Sequence, residues 1–306
     1  MKNAIFGFST VNLGDDVQSL AAALVFQEVD CYVDRDRLDR VRVGENHRLI
    51  MNSWFAIKRY KAVPSADLDP IYFGFCVGRP ELINKAWLGE WRKQPYVGCR
   101  DRHSVSLLLD NGIDAKFTGC LTTWMGKFIK PAQRRSGILF LDVPEEVEPF
   151  IPQNLRNCAE RISNATGKGE NDQLARFRAV ADILDRIRCA EMVVTRRLHA
   201  ALPCVGMGTP VTVYLHGSDK NRNRFSGADE FLPMVFHKNG QLEGERGWIE
   251  PSPAVVPTEM EDRFLELAAR LGTDITPRWA SFREFADTLP SMPREPQGLL
   301  KMTFSS

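Results

Sequence analysis

Short apolar runs and longer amphipathic patterns alternate along most of the chain. The apolar runs have the length of single β-strands and read AIFGF, CYVD, LIMNSW, IYFGFCV, YVGC and AKFTGC in the first part of the sequence. Between them, apolar residues recur every three or four positions, as Val17, Leu20, Ala21 and Leu24 do, which indicates helices. Alternation of this kind is typical of parallel α/β units, so the pattern predicts an α/β fold.

The alternation stops and restarts once, which predicts two domains. Residues 125–137 (MGKFIKPAQRRSG) are basic and rich in turn formers, and we interpret them as a linker. The pattern resumes with GILFLDV, an amphipathic helix, and the strands MVVT and PVTVYL. A length of 306 residues also exceeds what one hydrophobic core usually serves. We therefore predict domains over 1–127 and 136–275, with residues 276–306 packing back toward the first domain.

Three helix starts carry capping signals. Asp15 or Asp16 is suited to cap the first helix, and Asp101 is suited to cap the helix that ends at the Asn-Gly pair 111–112. Near the end of the chain, Thr258 and Glu261 have the spacing of a capping box, followed by an apolar face that stops at a glycine.

Composition and charge exclude some classes of binding partner and location. The 40 basic residues nearly balance the 39 acidic ones, which argues against a nucleic-acid-binding protein. The seven cysteines are odd in number, widely spaced and without a CxxC pair, so we predict buried free thiols, no metal site and a cytoplasmic location. No run approaches the roughly 18 apolar residues that a membrane span needs, and the N-terminus does not read as a signal peptide.

Candidate chemistry lies directly after the apolar runs, because ligands of open α/β sheets bind beyond the carboxyl ends of the strands. The loop STVNLGDDVQ places Asn12, Gly14 and Asp15 at a helix N-terminus, where free backbone N–H groups favour an anion or a hydroxyl-rich ligand. A plain helix cap is the structural alternative for this loop. Neither GxGxxG nor GxxxxGK[ST] occurs, so no dinucleotide or P-loop site is predicted.

Two further loops carry cations. In GCRDRHS, Arg100 ends a strand and can point into a cleft, whereas Arg102 and His103 are expected to be solvated. In TRRLH, strand alternation would turn Arg196 and Arg197 in opposite directions, and Arg197 could face a ligand together with His199. Arginine can grip a carboxylate or phosphate, and histidine can exchange a proton near neutral pH. The loop HGSDKNRNRFSG, with Lys220 and Arg224, either adds anion contacts or is a solvated basic loop.

Three stretches, taken in order and spacing, carry a resemblance to a known family. They read NLGDDVQSLAA, GCRDRHSVSLLLDNGIDAKFTGCLTT and VVTRRLHAALPCVGMGTPV. Together they resemble the polysaccharide pyruvyl transferase family over about residues 10–215. Members of that family are similar to GT-B glycosyltransferases, so the resemblance implies two Rossmann-like domains that face each other across a cleft. It also implies transfer of a pyruvyl group from phosphoenolpyruvate to two hydroxyls of a sugar, which makes a cyclic ketal.

The resemblance also implies roles for individual residues. The family's Arg-Leu-His falls on Arg197, Leu198 and His199, which implies donor binding by the arginine and proton transfer by the histidine. Its Asn-x-Gly-Asp falls on Asn12, Gly14 and Asp15, so we expect Asp15 to be the second proton carrier. Because phosphoenolpyruvate is a small polyanion, we expect further donor contacts from three more cations, and acceptor contacts from the first loop and helix. The expected residues are Arg100, Lys220 and Arg224 for the donor, and Asn12, Gly14 and Gln18 for the acceptor.

Under this interpretation the protein needs no cofactor or metal besides the donor substrate. The acceptor is a sugar or glycan, free or linked to a lipid or nucleotide, in the synthesis of a cell-surface or exopolysaccharide. Two alternatives stay open at this point. One is a GT-B glycosyltransferase that uses a nucleotide sugar, although the sequence offers no recognisable base-binding pocket. The other is a non-catalytic member that binds glycans or anionic metabolites.

Overall fold

The computed structural model of the chain describes residues 1–8, 10–55, 63–165, 172–238, 241–243 and 248–291. These residues form a mixed α/β fold whose two larger sheets are built almost entirely from parallel strands. The α/β fold class that the apolar runs predict is therefore confirmed. Residues 292–306 of the predicted C-terminal extension lie outside the described part of the chain.

The first half of the chain contributes eight strands. They are β1 (Lys2–Gly7), β2 (Cys31–Asp34), β3 (His47–Ile50), β4 (Trp54–Phe55), β5 (Leu68–Ile71), β6 (Cys76–Val77), β7 (Val97–Cys99) and β8 (Ala115–Phe117). A four-stranded parallel sheet has the order β2-β1-β3-β5, and β4 pairs with β6 and β7 with β8. The backbone N–H of Gly98 donates to the carbonyl of Tyr72 (3.2 Å), so β7 follows β5 along the same layer.

The second half contributes six strands. They are β9 (Ile138–Leu141), β10 (Ala159–Ile162), β11 (Met192–Thr195), β12 (Val211–His216), β13 (Met234–Lys238) and β14 (Gln241–Leu242). They form one sheet in the order β10-β9-β11-β12-β13-β14, in which only β14 is antiparallel to its neighbour. The carboxyl ends of β9, β11, β12 and β13 therefore meet at one edge, where ligands of parallel sheets bind.

Nine α-helices lie in the described part of the chain. They are α1 (Gly14–Phe26), α2 (Lys85–Trp91), α3 (Arg102–Leu109), α4 (Gln153–Cys158), α5 (Gln173–Cys189), α6 (Leu198–Met207), α7 (Asp219–Phe225), α8 (Thr258–Leu271) and α9 (Phe282–Ala286). None of these helices is both long enough and apolar enough to cross a lipid bilayer.

Helix α1 connects the two halves through apolar packing. Its buried Leu20 and Leu24 belong to one hydrophobic cluster with Phe177 and Leu184 of α5 and Leu202 of α6. The mostly apolar sequence of α1 explains this position, because a helix that is apolar on most faces must be covered on most faces. The loop that opens α1 is thereby held against the second half of the molecule.

A buried ion pair also joins α1 to α5. The guanidinium of Arg176 donates to both carboxylate oxygens of Asp16, with an Nε to Oδ1 distance of 3.1 Å, and both side chains are almost completely buried. Gln173 donates to Asp16 (2.7 Å) and accepts from the backbone N–H of Phe8 (2.8 Å). The network satisfies the charge of Asp16 away from water, as a buried carboxylate requires.

Two glycines allow a close backbone contact between α6 and the segment before β9. Residues Leu121–Lys127 form a 3-10 helix that packs against α6. A Cβ atom on Gly206 would overlap the carbonyl oxygen of Thr123, and one on Gly126 would overlap that of Gly206. Any side chain at either position would therefore push the two backbones apart. The backbone of α6 is thus in direct contact with the 3-10 helix that connects the sheets.

The predicted cap of α1 is wrong, and that of α3 is confirmed. Leu13 occupies the N-cap position of α1 without a side-chain hydrogen bond, so neither Asp15 nor Asp16 caps this helix. Their carboxylates bind other side chains instead. At α3, Asp101 accepts from the backbone N–H of Ser104 (2.7 Å), as the sequence predicts.

The capping box predicted at α8 is also wrong. Thr258 is the first helical residue, and Pro257 occupies the N-cap position without a side-chain hydrogen bond. The apolar face and the stop are confirmed, because Met260 and Phe264 are buried and Gly272 adopts a left-handed backbone conformation (φ 68°).

The described part of the C-terminal region touches both halves. Helix α9 packs against α5, where the backbone N–H of Phe282 donates to Asp185 (3.0 Å). Contact with the first half comes from Tyr32, whose hydroxyl donates to the carbonyl of Pro290 (2.5 Å).

All seven cysteines are free, but Cys158 is exposed and Cys189 half-buried, so the prediction that all are buried is wrong for these two.

Candidate functional site

A pocket of about 370 Å³ opens at the carboxyl edge of the second sheet. Its walls come from the loops after β9 and β11, from the end of β12 and from α7, and the loop before α1 closes one side. Leu13 in that loop donates its backbone N–H to the carbonyl of Asn164 (3.0 Å). Residues of both halves therefore build one site, although they lie far apart in the sequence.

His199 lies in the first turn of α6 and lines the pocket. Its Nε2 atom is 3.4 Å from Nη1 of Arg100, which follows β7 in the other half. Both side chains are buried, with exposed fractions of 7% and 3%. Burial lowers the pKa of His199 well below its usual range, and the positive charges of Arg100 and Arg224 lower it further. The imidazole is therefore neutral in this arrangement.

Arg100 offers hydrogen-bond donors that no residue in the described part of the chain accepts. Its Nε and Nη2 atoms are buried and have no hydrogen-bond partner among the described residues, and the same holds for Nε of Arg224. A buried guanidinium keeps its charge and is costly to leave unpaired. An anion bound beside His199 would satisfy these donors. The sequence places both arginines at the site from their positions after strands, and the structure brings both to His199.

Gly14, the first residue of α1, lies close to the side chains of Asn12 and His199. A Cβ atom there would lie 3.3 Å from Nδ1 of His199 and 3.2 Å from Oδ1 of Asn12, closer than most real Cβ contacts. Asn12 in turn accepts a hydrogen bond from the backbone N–H of Gly14 (3.2 Å). The Asn-x-Gly-Asp and Arg-Leu-His segments thus touch each other directly.

Arg197 lines the pocket and is held by a carboxylate. Its Nε donates to Oδ2 of Asp142 (2.7 Å), which also accepts from the backbone N–H of Asn164 (3.2 Å). Burial acts to raise the pKa of Asp142, but hydrogen bonds from Arg197 and Ser163 outweigh it and hold the pKa below its usual range. Asp142 therefore stays ionised and orients the guanidinium of Arg197, which keeps its remaining donors for a ligand.

The premise that Arg196 and Arg197 lie on a strand is wrong, so the expected alternation of their side chains does not arise. Both line the pocket, and Arg196 is exposed. Strand alternation does not apply to them, because β11 ends at Thr195 and the two arginines lie in the bend that leads into α6. Leu198, the middle residue of Arg-Leu-His, also lines the pocket and is buried.

The basic segment after β12 folds as helix α7 rather than as a loop. Ser218 caps it by accepting from the backbone N–H of Asn221 (3.4 Å). Arg224 lines the pocket, and its guanidinium lies 4.5 Å from the ring centre of Trp54. Lys220 is exposed, with its ammonium 5.2 Å from the same ring, and it does not line the pocket. The structure therefore brings Arg224 to His199 and leaves Lys220 at the margin.

Asp15 lies on α1 beside the pocket and faces a second cation. Its Oδ1 atom is 3.7 Å from Nη1 of Arg35, and its side chain is 15% exposed. Gln18, which is fully buried, donates to the same oxygen (3.4 Å). Gln18 thus contacts Asp15 and does not line the pocket. The structure brings Asp15 near the arginines of the site, but the ion pair that Asp15 forms is with Arg35.

Several residues of the site were missed in the sequence. Asp142 follows the apolar run GILFL, so the strand-end rule that found Arg100 would also have found it. Asn164 lines the pocket, and its buried Nδ2 has no hydrogen-bond partner in the described part of the chain. It follows the half-exposed edge strand β10, which has no apolar signature.

Arg102, predicted to be solvated, pairs with Glu230 (2.9 Å) and Glu259 (2.6 Å) of the second half.

The arrangement can bind a compact polyanion beside a neutral imidazole. Arg100, Arg197 and Arg224 supply cationic donors, and His199 supplies a group that can carry a proton. Within the described residues, no group of three or more histidine, cysteine or acidic side chains is placed to hold a metal ion. The chemistry that the described side chains themselves provide is anion binding and proton transfer.

Comparisons with known proteins agree with the motifs. A sequence model of the family described as polysaccharide pyruvyl transferase matches residues 12–218, which include the loop before α1, Arg100, α6 and the end of β12. No curated protein matches the chain. A solved structure of an uncharacterized protein from Klebsiella pneumoniae subsp. pneumoniae NTUH-K2044 is similar over 78% of this chain and 93% of its own, at 15% identity and a TM-score of 0.44. Because the family match covers well over half of the sequence, this chain belongs to the polysaccharide pyruvyl transferase family.

Proposed function

We propose that the protein transfers a pyruvyl group from phosphoenolpyruvate to two hydroxyls of a sugar, forming a cyclic ketal in the synthesis of a cell-surface or exopolysaccharide. The observation that carries this proposal is the presence of buried hydrogen-bond donors without a described partner, on the buried Arg100 and the half-buried Arg224, beside His199. A three-carbon donor with a carboxylate and a phosphate needs several such donors close together. Family membership supports the transferase activity, and the site supports the donor.

The donor contacts follow from the positions of the cations. Arg197, held by Asp142, presents a fixed guanidinium that can grip the donor carboxylate or phosphate with paired hydrogen bonds. Arg100 and Arg224 contact the other anionic group of the donor. Leu198 lines the pocket next to Arg197. Lys220 attracts the donor from the margin of the site rather than binding it in the pocket.

The reaction requires two proton carriers. Protonation of the donor CH₂ carbon leaves a cation at C2, which the first sugar hydroxyl attacks; phosphate then leaves, and the second hydroxyl closes the ketal. His199 is the carrier that touches the donor, because it lies among the donor-binding arginines. Asp15 accepts the proton of the attacking hydroxyl, and Gln18 fixes the orientation of its carboxylate.

The acceptor enters from the side of the first half. Asn12 and Gly14 line the pocket on that side. We retain the GT-B-like arrangement of two domains, with 1–127 on the acceptor side and 136–275 on the donor side, as part of this proposal. The free cysteines fit action in the cytoplasm, where thiols stay reduced.

Phosphoenolpyruvate is expected to stabilise the protein against heat, whereas nucleotide sugars are not. A ligand that binds only the folded state at a hundredfold excess over Kd stabilises it by about 2.7 kcal/mol, which a melting curve resolves. Replacing Arg197 by Ala should remove most of the shift, because it deletes a charge-assisted contact to the anion. The matched control is Arg134→Ala, at an exposed arginine outside the pocket, which should keep the full shift.

Other outcomes of the melting experiment would replace this proposal. Protection by a nucleotide sugar but not by phosphoenolpyruvate would favour the glycosyltransferase alternative. Protection by neither compound would favour a non-catalytic protein that binds glycans.

Pyruvyl transfer is expected to proceed without a divalent metal ion. The arginines at the site neutralise the carboxylate and phosphate of the donor, a task that Mg²⁺ performs in many phosphate-binding sites. Treatment with EDTA followed by a transfer assay checks this expectation. Loss of turnover that a divalent ion restores would show that the arginines do not suffice.

A further inference from the structure

The hydrogen bond between Arg100 and His199 fixes which nitrogen of the imidazole carries the proton. A guanidinium can only donate, so Nε2 of His199 must accept from Nη1 of Arg100 across their 3.4 Å contact. The proton of the neutral ring is then on Nδ1, which faces the backbone at Gly14. In this state His199 has no proton on Nε2 and cannot act as an acid from that atom.

The groups around His199 oppose a second proton. Arg100 approaches from the end of β7 and Arg224 from α7, and both are positive. On its own element, Arg197 is already paired with Asp142. The nearest helix of the first half contributes Asp15, whose carboxylate lies 3.7 Å from Arg35. An imidazolium would also place an N–H of Nε2 against the N–H of Arg100. The empty site therefore holds His199 neutral.

An anion bound between the arginines shifts His199 from the neutral toward the charged imidazole. Nε and Nη2 of Arg100 and Nε of Arg224 have no hydrogen-bond partner among the described residues, so they are free to bind the donor's oxygens. The bound negative charge offsets the two positive charges that face the ring, and it supplies an acceptor for an N–H on Nε2. Both changes favour the charged imidazole.

We propose that donor binding loads the proton that the reaction consumes. Without the donor, Nη1 of Arg100 donates to Nε2 and keeps His199 neutral; the anionic donor accepts the hydrogen bond of Nη1 in place of Nε2, as well as those of Nε and Nη2, and Nε2 then takes up a proton from water. This inference rests on the proposed function. The Nε2 lone pair first forms an N–H bond with the solvent proton. That bond then breaks as the C2=C3 π electrons of the donor form a new C3–H bond, which leaves the positive charge at C2 and a neutral imidazole. Arg100 therefore has two roles, contact with the donor and control of the charge of His199.

Calorimetric titration with phosphoenolpyruvate, without acceptor, tests the proposal on the full chain. Binding heats measured near pH 7 in buffers of different ionisation enthalpy give the number of protons exchanged. The wild-type protein should take up protons as it binds the donor, because an imidazole that is neutral without the donor becomes protonated. A histidine with an ordinary pKa near 6.5 would account for about a quarter of a proton at pH 7, and the bound anion increases the uptake beyond that value. The phosphate of the donor cannot produce this uptake, because arginine contacts stabilise its deprotonated form and would release protons.

Two variants assign the proton. His199→Gln should bind phosphoenolpyruvate with no uptake, whereas His103→Gln, at an exposed histidine outside the pocket, should match the wild type. Binding by the wild type without uptake, or uptake that persists in His199→Gln, would overturn the inference and leave the proposed function standing. Absence of any binding heat or thermal shift with phosphoenolpyruvate would overturn the proposed function as well. If His199→Gln does not fold, NMR titration of the wild-type imidazole with and without the donor decides, because a pKa unchanged by the donor contradicts the proposal.

Discussion

Replacing His199 by Gln is expected to lower the rate of pyruvyl transfer by about 10² to 10⁴-fold, the usual cost of losing a general acid or base. Glutamine can still accept a hydrogen bond from Arg100, so the buried arginine keeps a partner. It cannot exchange a proton near neutral pH, so the chemical step should fail while thermal protection by phosphoenolpyruvate largely survives. A transfer assay that detects the added pyruvyl mass, run beside a melting curve, measures both effects.

The exposed His103 provides the matched control for this substitution. His103→Gln removes the same functional group outside the pocket and should leave both rate and protection unchanged. Full activity in His199→Gln would remove the histidine from the mechanism. Loss of donor protection in the same variant would mean that His199 binds the donor rather than moving a proton.

Removing one partner of the buried pair Asp16 and Arg176 is expected to destabilise the protein by about 3 to 5 kcal/mol, because the remaining charge is left buried without compensation. Arg176→Met should therefore lower the free energy of unfolding strongly. The double variant Asp16→Leu with Arg176→Met should recover much of the loss, since it leaves no charge behind. Chemical denaturation at pH 8 suits the comparison, because burial raises the pKa of Asp16 to about 6 and the carboxylate is ionised above that value.

An exposed ion pair serves as the control for this experiment. Arg161 pairs with Glu148 (2.9 Å) at the surface, and pairs of this kind contribute about 0 to 1 kcal/mol. Glu148→Gln should therefore change the unfolding free energy little. An equally small effect of Arg176→Met would mean that water reaches the pair between α1 and α5.

The parallel α/β fold could be predicted because its strands are short apolar runs between amphipathic helices. The elements that the sequence did not reveal lack that signature. Strand β10 reads AERI and lies half-exposed at the sheet edge, so only pairing with β9 defines it. Helix α7 reads DKNRNRF, with a single apolar residue, and is stabilised by its Ser218 cap and by contacts of its cations with Trp54. Both depend on partners distant in sequence.

The structure brings together residues that the sequence places directly after buried strands. Arg100, Arg197 and His199 meet this condition, and the structure brings all three to one place. Asp16 shows the limit of local reasoning. Its sequence position suits a helix cap, yet its carboxylate binds Arg176 on α5 instead, a partner that only the packing of α1 against the second half supplies. Long-range charge pairing of this kind leaves no trace in spacing or periodicity.

The backbone contact between Gly126 and Gly206 determines which parts of the molecule can move during turnover. Helix α6 presents Leu198 and His199 at one end and touches the 3-10 helix Leu121–Lys127 at the other, with no side chain between the two backbones. These two elements must travel as one rigid body. Under the proposed function, entry of a glycan and release of phosphate then require movement of other elements of the pocket, such as α7 with Arg224, rather than of His199.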